Sequence, residues 1–174
     1  MTDDEIVEAM FRHVREFIEK PHPAFGNLPI CPFAKAGRLS GKIDTHVIDF
    51  RSDEVEPYLR AFAAQGRYEV VQFIHRGVDY SLAELRRLLV GLSSILVELE
   101  LVAFSGHPAE DMTVAGVVTS ADPFPSIQVI PLQLLKKRAA TLPKRYYQNW
   151  SAEELARGLP NSETPSGSVR NIGL

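Results

Sequence analysis

The sequence predicts an α+β fold, an α/β sandwich in which helices cover a four-stranded sheet. Three observations carry that prediction. Apolar residues recur at three- and four-residue spacing in several separate stretches, short β-prone runs lie between them, and 174 residues at 45% hydrophobic composition suffice for one sizeable core. A ferredoxin-like plait is the favoured version, because four short strands and two crossing helices fill that plan, with an extra N-terminal helix and a Pro-rich cysteine loop added. A thioredoxin-like sheet is the alternative. It too would put a Cys-Pro at a helix start, but it expects a strand directly before the cysteine, which Gly26 to Pro29 fits poorly. The expected organisation is a single globular domain over 1–157 and a polar tail over 158–174, whose Pro160, Asn161, Ser162, Pro165, Ser166 and Gly167 have a linker composition.

Ile6, Val7, Met10, Phe11, Val14, Phe17 and Ile18 form one apolar stripe, and Thr2 and Glu5 are spaced as a capping box, so a helix is expected over about 3–20. Pro21, Pro23, Gly26 and Pro29 then forbid regular structure. Phe25, Leu28 and Ile30 argue that this loop is packed. Pro32 suits a first helical position, so Phe33 to Leu39 is expected as a short helix that Cys31 caps and Gly41 stops. Lys42 to Phe50 reads as an interior strand with apolar residues on both faces. Ser52 is placed to cap a helix bearing Val55, Tyr58, Leu59 and Phe62, closed by Gly66. Tyr68 to His75 follows as a strand rich in Val, Phe and Ile. Ser81 and Glu84 make a second capping box before the main core helix, whose leucines run to Leu99. Leu101 to Phe104 and Ser126 to Ile130 read as the third and fourth strands, and Pro131 opens a last amphipathic helix through Leu142.

The chemistry-bearing residues centre on Cys31, the only cysteine, within Asn27-Leu-Pro-Ile-Cys-Pro-Phe-Ala34. A thiol at a helix start would feel the positive end of the helix dipole, and Lys35 and Arg38 would add charge favouring the thiolate. If the loop after the third strand brought His107 to it, His107 would serve as base or acid and Arg38 would hold a carboxylate or phosphate. Cys31 and His107 are therefore the candidate catalytic pair, with Arg38, Lys35, Phe33, His22 and His75 as candidate substrate-binding residues. Packing competes with this reading, since free cysteine is among the most buried residue types. As a ligand, Cys31 with His22 or His107 would suit zinc, yet no CxxC or HxxxH pair occurs and no metal site is assigned. A Cys-Pro thiolate is also an axial ligand available to haem, on the strength of two residues. The cofactor is left unknown. His13 and His46 read as surface or satisfied core histidines.

The Cys-Pro-Phe-Ala segment, Arg38, the leucine-rich helix, Phe104-Ser-Gly-His107-Pro108 and Asp122-Pro-Phe-Pro125 together resemble bacterial domain families built around a CPFA segment with a downstream His-Pro. The order of elements is similar over roughly residues 25 to 140. Those families have no assigned activity, so the resemblance implies which residues to watch: Cys31, Pro32, Phe33, Arg38, His107, Pro108 and Pro125. Ser105 and Gly106 separate Phe104 from His107, where the family pattern sets an aromatic directly before the His-Pro.

Composition excludes more than it selects. A formal charge of −3 and a pI near 6.0 give no global attraction to nucleic acid or anionic membranes. Lys136, Lys137, Arg138, Lys144 and Arg145 with Tyr146, Tyr147 and Trp150 could track a phosphate backbone, but net acidity favours a solvated helix face with aromatics pinning it to the body. No apolar run spans a bilayer and the start lacks a secretory signal, so the cytoplasm is the expected compartment. No GxGxxG, P-loop or GxSxG occurs. The expectation is a bacterial cytosolic protein with a small-molecule pocket near the Cys31 loop, a thiol-dependent enzyme or biosynthetic accessory protein. The alternative is a non-enzymatic ligand- or partner-binding domain with Cys31 structural, a homo-oligomer being open to either.

Overall fold

The computed structural model describes residues 1–51 and 53–158. Its centre is a mixed sheet of β3 (Ile43–Ile48), β4 (Val70–His75), β5 (Leu101–Gly106) and β8 (Ser126–Pro131). The strand order is β3-β4-β8-β5; β3 and β4 are parallel, and β8 runs antiparallel to both its neighbours. The fold is therefore α+β with four principal strands. The order differs from a ferredoxin-like plait, which follows βαββαβ. Two consecutive helical connections lead from β3 through β5, and β8 then inserts between β4 and β5.

Helices lie on both faces. Side chains alternate along a strand, so Val71, Phe73, Ile127, Val129, Leu101 and Ala103 share one face. Against it pack α3 (Glu56–Gln65) and α4 (Leu82–Glu98). Helix α4 forms because leucines recur at helical spacing behind a capping box in which Ser81 Oγ accepts from the Glu84 N–H at 3.3 Å. It buries Leu85, Leu89, Leu92, Ile95 and Leu96, each side chain worth about 1.5–3 kcal/mol when fully removed from water. The proposed Ser52 cap for α3 lies outside the described residues.

The opposite face is covered by the N-terminal segment and the helices that follow β8. Helix α1 (Asp3–His13) starts at the Thr2–Glu5 capping box, continues as a π-helical turn over Val14–Ile18, and buries Ile6, Met10, Val14 and Ile18. The Pro-rich loop is ordered: β1 (Pro21–His22) pairs with β2 (Leu28–Pro29) around a 3₁₀ turn. Gly26 stands at φ 63°, and a β-carbon there would lie 2.5 Å from the Arg145 carbonyl oxygen. Only glycine permits that approach of the loop to the C-terminal helices.

Helix α2 covers Ala34–Leu39 with Phe33 at its N-cap position, so Cys31 stands three residues ahead of the helix and does not cap it. Helix α5 (Leu132–Thr141) is followed by α6 (Lys144–Tyr147) and α7 (Ala152–Gly158). Rings of Phe25, Tyr146, Tyr147 and Trp150 form a cluster of tilted and edge-to-face contacts, and the Tyr146 hydroxyl donates to the Ile30 carbonyl. Tyr146 and Trp150 thus pin the C-terminal segment beneath the cysteine loop rather than presenting free stacking surfaces. Four elements went unexpected: the β1–β2 pair within the proline-rich loop, the hairpin of β6 (Thr113–Val114) and β7 (Val117–Val118), α6 and α7. The tail expected over 158–174 falls, beyond Gly158, outside the described residues. Among those residues no helix is long and apolar enough to cross a membrane.

Candidate functional site

Three cross-strand rows make up the sheet face beneath the cysteine loop. Register places Ile43, Val70, Ile130 and Val102 in one row, Thr45, Gln72, Gln128 and Phe104 in the next, and Val47, Ile74, Ser126 and Gly106 in the third. The middle row interrupts an otherwise apolar surface with a hydroxyl and two carboxamides. Gln72 is 3% exposed, and neither Gln72 nor Gln128 has a side-chain hydrogen bond to a described residue. The Thr45 hydroxyl and the Trp150 indole N–H are buried without a hydrogen-bond partner among the described residues. Buried polar groups are almost always hydrogen-bonded, so this concentration marks a place where a ligand or ordered water completes the bonding.

The space above these rows has two lobes of about 70 Å³ each, sharing Cys31, Phe33, Gln128, Ile130 and Arg138. The first runs beneath Phe11, Val14 and Ile18 to Val70, Gln72 and Asp122. Phe104, Leu135, Tyr146, Tyr147 and Trp150 enclose the second. Each lobe holds on the order of five water-sized positions. An apolar hollow with a few convergent polar groups is the usual form of a small-molecule site.

At the join of the lobes, Cys31 is half-buried, and its backbone N–H donates to the Ile18 carbonyl at 3.2 Å. Burial pushes the thiol above its ordinary range; backbone N–H groups of Phe33 and Ala34 at the sulfur and the more distant Arg138 charge offset that only in part. Burial is thus the dominant influence on the thiol and favours its protonated form over the thiolate expected from the sequence. Arg138 lies over the Phe33 ring, 5.2 Å from its centroid, and pairs with Glu69.

The remaining candidates are engaged elsewhere. Arg38 makes a bidentate pair with Glu19 at 2.8 and 2.9 Å and lines neither lobe. Lys35 is exposed on α2. His22 Nδ1 accepts from the Ala24 N–H at 3.1 Å, capping the 3₁₀ turn. His75 is buried between Phe50 and Tyr80, its Nδ1 accepting from the Phe50 N–H at 3.1 Å. Strand alternation carries His107 to the face opposite Val102 and Phe104. There Nε2 donates to the Tyr80 carbonyl at 2.8 Å while Nδ1 accepts from the Ala109 N–H at 2.9 Å. A Cys31–His107 pair cannot form across the sheet. Phe33 alone of the expected binding residues stays beside Cys31.

At the far end of the first lobe, sequence reasoning missed Asp122. Its carboxylate is buried, accepts from Ser126 Oγ at Oδ2 (2.5 Å), and has Oδ1 3.6 Å from His13 Nε2. Burial pushes its pKa up to about 6, with the Ser126 hydrogen bond opposing, while desolvation lowers that of His13. Among the described residues, no three His, Cys, Asp or Glu side chains gather as a metal site. Comparisons with family models, curated proteins and solved structures find no match to this chain.

Proposed function

We propose that this protein binds a small organic molecule in the two-lobed cavity around Cys31. The observation that carries the reading is the row of unpartnered carboxamides, Gln72 and Gln128, on the floor of an apolar hollow with Cys31 at its centre. An apolar ligand body would fill the aromatic lobe, and its hydrogen-bonding group would meet the carboxamides. Cys31 serves as a neutral, polarizable wall and Phe33 as a lid. Thiol-dependent catalysis is the second reading, favoured by the two backbone N–H groups at the sulfur.

Benzamide, a flat ring bearing one amide, is a suitable probe. Trp150, the only tryptophan, lines the aromatic lobe and reports occupancy through its fluorescence. Saturable quenching is expected, weakened about tenfold or more in Gln128→Leu through loss of roughly 1.4 kcal/mol. No saturable change with millimolar benzamide would remove the reading.

A further inference from the structure

Asp122 lacks a countercharge. A carboxylate taken out of water is costly unless it is paired and fully hydrogen-bonded. Ser126 satisfies Oδ2, but among the described residues the ionisable group paired with Oδ1 is His13 Nε2, at 3.6 Å and without a hydrogen bond. His13 comes from α1, packs against Phe17 at 5.4 Å between centroids, and is held neutral by desolvation at neutral pH. Among the described residues, the cation that lines this lobe is Arg138 of α5, which is bound to Glu69 at the Cys31 end. From β5, Gly106 offers no side chain, and the site occupies space that any larger residue would fill.

The polar row lies beside this carboxylate. Ser126 is two residues from Gln128 on β8, so both point to the same face, and Gln72 neighbours Gln128 across the strand pair. Carboxamide oxygens accept hydrogen bonds, as does the Thr45 hydroxyl in the same row. A donor-rich cation entering the first lobe would meet acceptors on its floor, a carboxylate at its end and aromatic walls at Phe11 and Phe33.

We propose that the first lobe recognises a protonated nitrogen, with Asp122 pairing a small organic cation such as a primary ammonium group. This rests on the reading of the cavity as a ligand site and names the ligand's charged end.

Benzylamine and benzyl alcohol, nearly equal in shape, separate charge from fit. Isothermal titration calorimetry at a pH well above about 6, where Asp122 is ionised, should show benzylamine binding at least tenfold tighter than the alcohol. That preference should fade as pH falls below about 6, while the amine stays protonated throughout. In Asp122→Asn the preference should vanish and the alcohol's affinity persist. Equal affinities in the unsubstituted protein, or a preference unchanged in Asp122→Asn, would overturn the proposal while leaving the cavity reading intact if benzamide and the alcohol bind. If that variant fails to fold, the pH dependence of the unsubstituted protein decides. Failure of all three probes to bind would instead refute the cavity reading and this proposal with it.

Discussion

Asp122 and Gly106 occupy one space: a β-carbon built on Gly106 would stand 2.0 Å from Asp122 Oδ2. The glycine ends β5 next to Ser126, its register partner on β8, and the carboxylate reaches across it to accept the Ser126 hydroxyl. A backbone position without a side chain is thus what lets a carboxylate lie flat on the sheet at the end of the cavity.

Gly106→Ala should therefore displace Asp122. The clash is with a short side chain anchored by a hydrogen bond, so relief requires breaking that bond or shifting the strand. A loss of about 1–3 kcal/mol is expected, the usual cost of overpacking, read as a lower denaturant midpoint. Adding Asp122→Ala should recover most of it, because the two changes share one contact. Additive losses would show that the glycine matters for another reason.

Stability should depend on pH through Asp122. Its folded pKa, about 6, lies above the ordinary value of 3.8, so the folded state holds the proton more tightly. The associated stabilisation is fully present below pH 3.8 and is lost as pH rises through about 6. Its size is about 3 kcal/mol on the linkage scale. His13 and His75, both lowered by burial, act in the opposite sense, holding stability above 6.5 and losing it as pH falls. Comparing Asp122→Asn with the unsubstituted protein cancels His75, whose neighbours are Asp49 and Asp79, and a His13→Gln background removes the histidine beside Asp122. The variant should gain relative stability as pH rises from about 4 to 7; a pH-independent difference between the two would contradict the buried, ionising carboxyl.

Cys31 should react slowly. Because burial raises its pKa, iodoacetamide labelling of the folded protein at neutral pH should be at least tenfold slower than that of the urea-unfolded chain. Its pH midpoint should lie above that of the unfolded thiol. Rapid labelling with a midpoint below the free-thiol value near 8.5 would restore the activated nucleophile.

Much of the fold could be read from local pattern. The Thr2–Glu5 and Ser81–Glu84 capping boxes, the leucine stripe of α4 and the β-branched runs of β3 and β4 each declare themselves within a few residues. Helix α7 carried the same signature, since Ser151 Oγ accepts from the Glu154 N–H at 3.1 Å and the Ser151 N–H donates to the Glu154 carboxylate at 2.6 Å. That spacing was legible and passed over. The β6–β7 hairpin was harder: its turn uses Ala115 at φ 51° and Gly116 at φ 78°, and alanine is not a residue that advertises a left-handed position. The site was legible only in part. Cys31 and Phe33 belong to it, but Arg38 was taken by Glu19, nineteen residues earlier, and no local signal announces such a pairing.

Sequence alone determined where the helices and principal strands lie, that the proline-rich loop is packed, and that Cys31 is its focal residue. Those features follow from propensity, capping and periodicity, which act over a few residues. Strand order, and with it the site, was decided by tertiary structure. By entering between β4 and β5, β8 sets Gln128 beside Gln72 and Ser126 beside Gly106. A two-residue side-chain period fixes which residues of a strand share a face, but which strands become neighbours depends on how all the apolar surfaces are buried together.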